Sequence, residues 1–512
     1  MKSPESRPRR IRISGLVLTF VAASYWPLHI LAVNLFGVVR PERVLGLILI
    51  AWVLGLALVL VLVAFGLDMG VAESTAFVAM VLVMSGQMIW RDAGTLVGSL
   101  LFVAIPVLAG LVFTRFKRSV TIRALLWAVA VALAAGPILT LIESWGGRGE
   151  DSVLRERAPL EISMSERPDI FLVVLDGYPG MIGAGQDGLG RGIVDISSEL
   201  RERGFEVPAS TWAAYWATSL SIPSLLEMDY PVRDEGWDSG ETQKALQAVL
   251  AGDSVVVETL RAQGYVTHMI ETGWSAASCG SNYDRCIPSP LLDEATNLIL
   301  RNTIASPLLR GSPGPYVLGT LAAFDWLMEN GPNLSESTQP DFVYAHVVSP
   351  HAPFLLNPDC SAEFSNERAG TVFDIPGVSE AVRAGYLSDQ MDCLDRLMIR
   401  FADSVDPEDV VIFVSDHGSD RRDQSDPATV NWDREMIVER LNTFVAAKLP
   451  DECELGEEIT VPNTLRVVLG CLSSTPIELL PERMWVNPMV ELDSEFVDEL
   501  LGMRGSPESL EN

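Results

Sequence analysis

Five histidines occur among the 512 residues, and two of them stand where a short apolar run gives way to polar residues. His417 lies in Ser415-Asp416-His417-Gly418, and His351 in Ser349-Pro350-His351-Ala352-Pro353-Phe354. A carboxylate, Asp176, closes the run Asp169-Ile-Phe-Leu-Val-Val-Leu175 in the same way. Asp176, Asp416 and His417 together offer two carboxylates and an imidazole, a mixed oxygen and nitrogen donor set suited to a divalent cation. Taken singly, each also has a plain structural reading: Asp176-Gly177 suits a turn, and Asp416-His417-Gly418 a strand-end cap. Thr218, ahead of a helical stretch at 219–227, suits an N-cap. His346 and His268 sit inside apolar runs and read as core residues. Tyr25, Trp26 and His29 read as interfacial or packing residues of a membrane segment.

The elements that must position these groups follow from the apolar runs. A short run that is apolar throughout is the pattern of a parallel strand buried on both faces. Similar runs recur at 265–270, 341–348 and 409–415, separated by helical stretches such as 193–203, 255–263 and 380–402. This alternation predicts an α/β domain with a mostly parallel central sheet covered on both sides. In such sheets the loops past the carboxyl ends of the strands converge on one crevice, so Asp176, the His351 loop and Asp416-His417 are expected in one place.

Composition separates this domain from what precedes it. The mean hydropathy of +0.25 is high for a water-soluble chain, and the excess lies in residues 1–145. Five spans are expected there, at 15–38, 44–67, 74–90, 95–116 and 124–145, each near the ~20 residues that cross ~30 Å of hydrocarbon. Nine Lys and Arg flank the N-terminus and the fourth-to-fifth loop, against three (Arg40, Arg43, Arg91) on the other side. The N-terminus is therefore expected in the cytoplasm, and the domain after the fifth span outside the cell membrane. Residues 146–167 read as a linker, 168–490 as the catalytic domain and 491–512 as an acidic tail. Residues 1–145 carry 12 basic and 6 acidic groups, leaving 25 basic and 61 acidic beyond. So acidic a domain, without clustered Lys or Arg, excludes nucleic acid as its partner. All six cysteines fall beyond residue 145. Pairing between sequence neighbours, 279 with 286, 360 with 393 and 453 with 471, is favoured, and an oxidising compartment follows.

Four stretches, Pro168-Asp-Ile-Phe-Leu-Val-Val-Leu-Asp176-Gly-Tyr178, Thr218-Ser-Leu-Ser-Ile-Pro-Ser-Leu-Leu226, His346-Val-Val-Ser-Pro-His351-Ala-Pro-Phe354 and Val414-Ser-Asp416-His417-Gly418, resemble in order and spacing the sulfatase-like branch of the alkaline-phosphatase superfamily. The resemblance spans about residues 165–485 and includes Pro462-Asn-Thr-Leu-Arg466 and Leu479-Leu-Pro481. It implies that Asp176, Thr218, Asp416 and His417 bind one divalent metal ion, manganese or zinc favoured over magnesium or calcium. It implies further that the Thr218 oxygen is both ligand and attacking group, and that His351 donates a hydrogen bond to the substrate phosphate or leaving oxygen. Sulfatases that mature to formylglycine carry a cysteine at the nucleophile position and an arginine four residues on; here these are Thr218 and Ile222, so that maturation is excluded. The family's paired aspartates appear as Asp176-Gly177, which removes one ligand. The pattern is nearer to envelope phosphoethanolamine and phosphoglycerol transferases, which are similar in having five spans before the catalytic domain and a threonine followed by Ser-x-Pro. Their acidic ligand after the first strand is usually glutamate.

The expected protein is thus a membrane-anchored, metal-dependent hydrolase or transferase acting on phosphoesters of a lipid or envelope polymer through a threonine nucleophile. A sulfuric or phosphoric ester hydrolase without transfer is the second reading, and a non-catalytic membrane sensor or scaffold on the same fold the third.

Overall fold

The computed structural model describes residues 13–503 apart from 34–40, 118, 147–157, 165, 187–189, 234–236, 238–239, 275–276, 290–292, 310–313, 335–337, 364–367, 369–378, 420–431, 474 and 488. The described residues divide into two units, one of those within 13–146 and 295–309 and one of the remainder.

Five apolar helices build the first unit: α1 (Ile13–Val33), α2 (Pro41–Ala64), α3 (Met69–Met84), α4 (Gly86–Arg115) and α5 (Val120–Gly146). Four of them, all but α3, are long and apolar enough to cross a membrane. The third expected span, 74–90, needs correction. Apolar residues resume at Met88-Ile89-Trp90 after Ser85-Gly86-Gln87, but the helix stops at Met84 after 16 residues, short of the ~20 that a crossing requires. At Ser85-Gly86 the chain turns, with Ser85 N donating to Val81 O and Leu82 O. Ile304 N donates to Val83 O, and the backbone of Thr303 and Ile304 lies where a Cβ on Gly86 would stand, only 2.4 Å away. Leu54, Leu100 and Val131 turn outward from the bundle, as side chains facing hydrocarbon do.

The second unit is organised by a seven-stranded sheet. Its strands are β1 (Ile170–Leu175), β2 (Phe205–Glu206), β4 (Val266–Ile270), β5 (Arg285–Ile287), β6 (Asp341–Val347), β7 (Val410–Ser415) and β8 (Val445–Lys448), in the order β2-β8-β7-β1-β6-β4-β5. Two small sheets pair β3 (Ser210–Trp212) with β9 (Glu458–Thr460) and β10 (Trp485–Val486) with β11 (Val490–Glu491). β1 is central and parallel to both neighbours, while β8 runs antiparallel to β7 and to β2. All six residues of β1 are buried, and successive side chains serve opposite faces. Ile170, Leu172 and Val174 join a core with Leu220, Ile222 and Leu465, whereas Phe171, Val173 and Leu175 pack with Leu327, Leu394 and Phe401. A run without polar interruption is what a strand covered on both faces demands, since each buried aliphatic side chain contributes ~1.5–3 kcal/mol.

Register brings the strand ends level: Leu175 stands opposite Val347 on one side and Ser415 on the other. Three disulfides form between the expected neighbours, Cys279–Cys286, Cys360–Cys393 and Cys453–Cys471. Within the segment expected as an acidic tail, residues Ser494–Leu501 form a helix with Val497 and Leu500 buried.

Candidate functional site

Two level strand ends place two carboxylates side by side. Asp176 follows β1, its N–H donating to Val347 O and its carbonyl accepting from His351 N, so the ends of β1 and β6 are tied together. Asp416 follows β7 and accepts at Oδ1 from the amides of Gly177 (3.0 Å) and His417 (2.9 Å). Gly177 can aim its amide at Asp416 because it adopts φ +73°, a left-handed conformation that glycine enters without penalty. Where the wider family has a second aspartate, this chain therefore has a turn residue that holds the other carboxylate.

The Thr218–Glu227 helix delivers the hydroxyl. Its cap position is Ala217, with no side-chain cap, so Thr218 is the first helical residue and not the N-cap that its type suggests. Its Oγ1 lies 3.1 Å from His417 Nε2. Ser221, one turn on, donates from Oγ to Asp416 O and fastens the helix start to the β7 end.

Asp176, Asp416 and His417 are buried, and one donor atom from each lies within 4.8 Å of the others. His417 Nδ1 is 2.8 Å from Gly418 O. A carbonyl only accepts, so Nδ1 carries the proton and the Nε2 lone pair faces the cluster. Nε2 is 3.5 Å from Asp176 Oδ1 and 3.4 Å from Asp416 Oδ2. Both of those carboxylate oxygens are buried without a hydrogen-bond partner. Orphaned buried oxygens on two adjacent carboxylates, beside an imidazole lone pair, are costly unless a cation meets them. The residues present therefore fit a divalent metal ion.

The electrostatics agree. Burial raises Asp416, and the neighbouring Asp176 charge adds to it, because two carboxylates this close resist ionising together. Burial opposes ionisation of Asp176 too, but the His351, His346 and His417 imidazoles outweigh it and hold the carboxyl below its ordinary range. His417 is pulled down to about 3, by burial first and then by the Arg440 charge, so its ring is neutral, as a ligand must be.

His351 reaches the same crevice. Its amide is bonded to Asp176 O, and its Nδ1 is 2.7 Å from Ala352 O. With Nδ1–H committed to that carbonyl, Nε2 donates only when the ring is protonated.

Two residues of the site were not expected from sequence. His346 was read as core, yet its Nε2 lies 3.3 Å from Asp176 Oδ2, and its ring packs edge-on against Trp274 at 5.0 Å. Its place one residue before the end of a strand beside β1 was the available signal. Arg440 lies in the last turn of the Arg434–Leu441 helix; its Nε donates to Trp216 O at 2.6 Å and its Nη2 lies 3.3 Å from His417 Nε2. Nothing in the local sequence marks it out from other helical arginines. His268, by contrast, is a core residue as expected, paired at 2.5 Å with Asp341.

Comparison with known proteins places these features in a lineage. The C-terminal periplasmic domain of EptC from Escherichia coli is 12% identical, with 66% of this chain and 97% of that one covered and a TM-score of 0.41. The integral membrane lipooligosaccharide phosphoethanolamine transferase A (EptA) from Neisseria meningitidis is 11% identical, with 90% and 95% covered and a TM-score of 0.41. The lipoteichoic acid synthase LtaP from Listeria monocytogenes is 12% identical, with 69% and 94% covered and a TM-score of 0.39. Among curated proteins none matches this sequence. The Sulfatase family matches over residues 168–439, more than half of the chain, and the protein belongs to that family.

Proposed function

We propose that the protein is a metal-dependent phosphoester transferase or hydrolase of the membrane, with Thr218 as the nucleophile and a lipid or envelope polymer as the substrate. The observation that carries this reading is Thr218 Oγ1 at 3.1 Å from the metal-facing nitrogen of His417, on a helix start that no side chain caps. Asp176, Asp416, His417 and the Thr218 oxygen would hold the ion, which when bound lowers the pKa of the hydroxyl and neutralises phosphoryl charge.

Thr218, its proton lost to solvent, attacks phosphorus: the Oγ1–P bond forms and the bond from phosphorus to the leaving oxygen breaks. Protonated His351 gives its Nε2 proton to that leaving oxygen. The uncapped amides at the helix start favour the charge that builds on the phosphoryl oxygens. In the second half, a hydroxyl of an acceptor, or water, attacks the same phosphorus. Its proton passes to neutral His351 as the Oγ1–P bond breaks, which restores both residues. His346 steadies Asp176 throughout.

Threonine in place of formylglycine favours phosphodiesters over sulfate esters, because an ester on Thr218 can leave only by a second displacement. The charge pattern of the first unit and the three disulfides support a cytoplasmic N-terminus and an extracytoplasmic catalytic domain. The test is metal analysis of the purified full chain, wild type beside Asp416→Asn. About one manganese or zinc per wild-type chain, lost in the variant, is expected; no bound ion in either would contradict the reading.

A further inference from the structure

We infer that the protein has a binding site apart from the crevice, a cleft at the β5 edge of the sheet that takes an anionic sugar. The inference is independent of the reaction proposed above.

Place is the first argument. The cleft has a volume of about 500 Å³, within the ~300–1,000 Å³ that small-molecule sites occupy, and His268, Arg285, Cys286, Trp326, Asn330 and Asn333 are among the residues that line it. Arg285 stands opposite His268 in the pairing of β5 with β4, so the two side chains emerge on one face of the sheet. β5 is the third strand from β1, about 14 Å away at the ~4.8 Å spacing of neighbours, which separates the cleft from Asp176 and Asp416. The edge is pinned there, since Cys286, next to Arg285, is bridged to Cys279.

The second argument is a buried acceptor without a partner. His268 is 1% exposed, and its Nε2 lies 2.5 Å from Asp341 Oδ1. A carboxylate only accepts, so Nε2 carries the proton and Nδ1 presents a lone pair. Nδ1 is buried with no hydrogen bond. An unpaired buried acceptor in a cleft wall is costly, and a ligand hydroxyl is a donor that relieves it.

The Pro315–Leu334 helix gives the third argument. Trp326, Asn330 and Asn333 fall at i, i+4 and i+7 and share one face of it, whereas Phe324 and Leu327 join the core. Asn330 Nδ2 donates to Trp326 O and Asn333 Nδ2 to Glu329 O, each at 2.9 Å, which fixes the amides. Among the described residues neither amide has another partner, so each keeps a second N–H and a carbonyl for a ligand. The Trp326 ring stands 6.2 Å from that of His268. A flat aromatic surface beside several donors and acceptors matches a sugar, apolar on its C–H face and hydroxylated at its rim.

Charge sets the kind of sugar. Arg285 is exposed and has no ion pair among the described residues, while its neighbour Asp284 is taken by Arg261 and Thr267. A guanidinium receives a carboxylate or a phosphate in two parallel hydrogen bonds, so the sugar carries such a group.

The experiment titrates glucuronate, glucose 6-phosphate and glucose against the full chain in a sugar-free detergent, followed by ligand-observed NMR. The proteins are wild type, Arg285→Gln, Asn330→Ala, Trp326→Leu and Asp416→Asn, each checked by thermal melting. Wild type is expected to bind at least one of the charged sugars saturably and ~10-fold more tightly than glucose, and the tighter of the two identifies the anion. Arg285→Gln is expected to remove that preference, and Trp326→Leu and Asn330→Ala to weaken all three sugars. Asp416→Asn, altered only in the crevice, is expected to bind like wild type. Should Trp326→Leu fail to fold, Arg285→Gln and Asn330→Ala decide. No preference for charged sugars in the wild type overturns the inference, as does wild-type affinity in Arg285→Gln or a loss of binding in Asp416→Asn, which would put the sugar in the crevice.

Discussion

At the scale of single residues, the site depends on atoms whose neighbours leave them nothing else to do. Thr218 caps no helix, and its hydroxyl bonds to His417 within the site, so its removal leaves the backbone hydrogen bonds of the helix start in place. Thr218→Ala is therefore expected to reduce turnover to the uncatalysed background while the melting temperature shifts by no more than ~2 °C, within the range of a surface substitution. Parallel melting and product-formation assays check this; wild-type turnover in a normally folded variant would remove Thr218 from the mechanism. His346 acts through Asp176. His346→Ala is expected to weaken metal binding ~10–100-fold, as loss of an outer partner of a ligand does, and a competitive chelator titration reads it. The three clustered residues Asp176, Asp416 and His417, the proposed ligands, were legible because polar residues interrupt apolar runs at strand ends. His346 and Arg440 were not, because the first looks like any buried strand residue until register sets it beside Asp176. The second reaches the site only through the packing of its helix on Gly418.

At the scale of elements, the sheet's two ends differ in chemistry. Its carboxyl end holds the site, and its amino end buries Asp169 and Asp409 near one another. Asp409 is pushed up to about 7, by burial first and then by the charge of Asp169, and Asp169 is raised too, chiefly by burial. The folded protein thus keeps protons that an unfolded aspartate releases near ~3.9. A raised carboxyl contributes stability that is complete below the unfolded value and is lost as pH climbs through the folded one. The melting temperature of the catalytic domain is therefore expected to fall between pH 5.5 and pH 8. Asp409→Asn should flatten that fall, and an unchanged slope in the variant would contradict the assignment. Strand β1 was the most legible element, since all its positions are apolar and both faces are covered. Helix α3 was the least, because hydropathy does not register a turn at Ser85-Gly86 that backbone contacts impose.

At the scale of the whole molecule, an apolar helical unit precedes an acidic domain closed by three disulfides. The account expects protease to reach that domain in right-side-out vesicles and to spare it in inside-out ones; the reverse pattern would overturn the orientation. Mass mapping of unreduced protein from its native membrane should recover the Cys279–Cys286, Cys360–Cys393 and Cys453–Cys471 pairs. The family, the two-unit organisation and the ligand cluster all bear on one claim, that Thr218 takes a phosphoryl group covalently. The most direct measurement is rapid-quench mass spectrometry of the Thr218 peptide from the full chain, loaded with zinc or manganese and mixed with an aryl methyl phosphodiester. The account predicts a methylphosphoryl group on Thr218 that appears with the released aryl alcohol and decays as acceptor is added. Release of the alcohol with Thr218 unmodified at every quench time, at a rate that Thr218→Ala preserves, would contradict it.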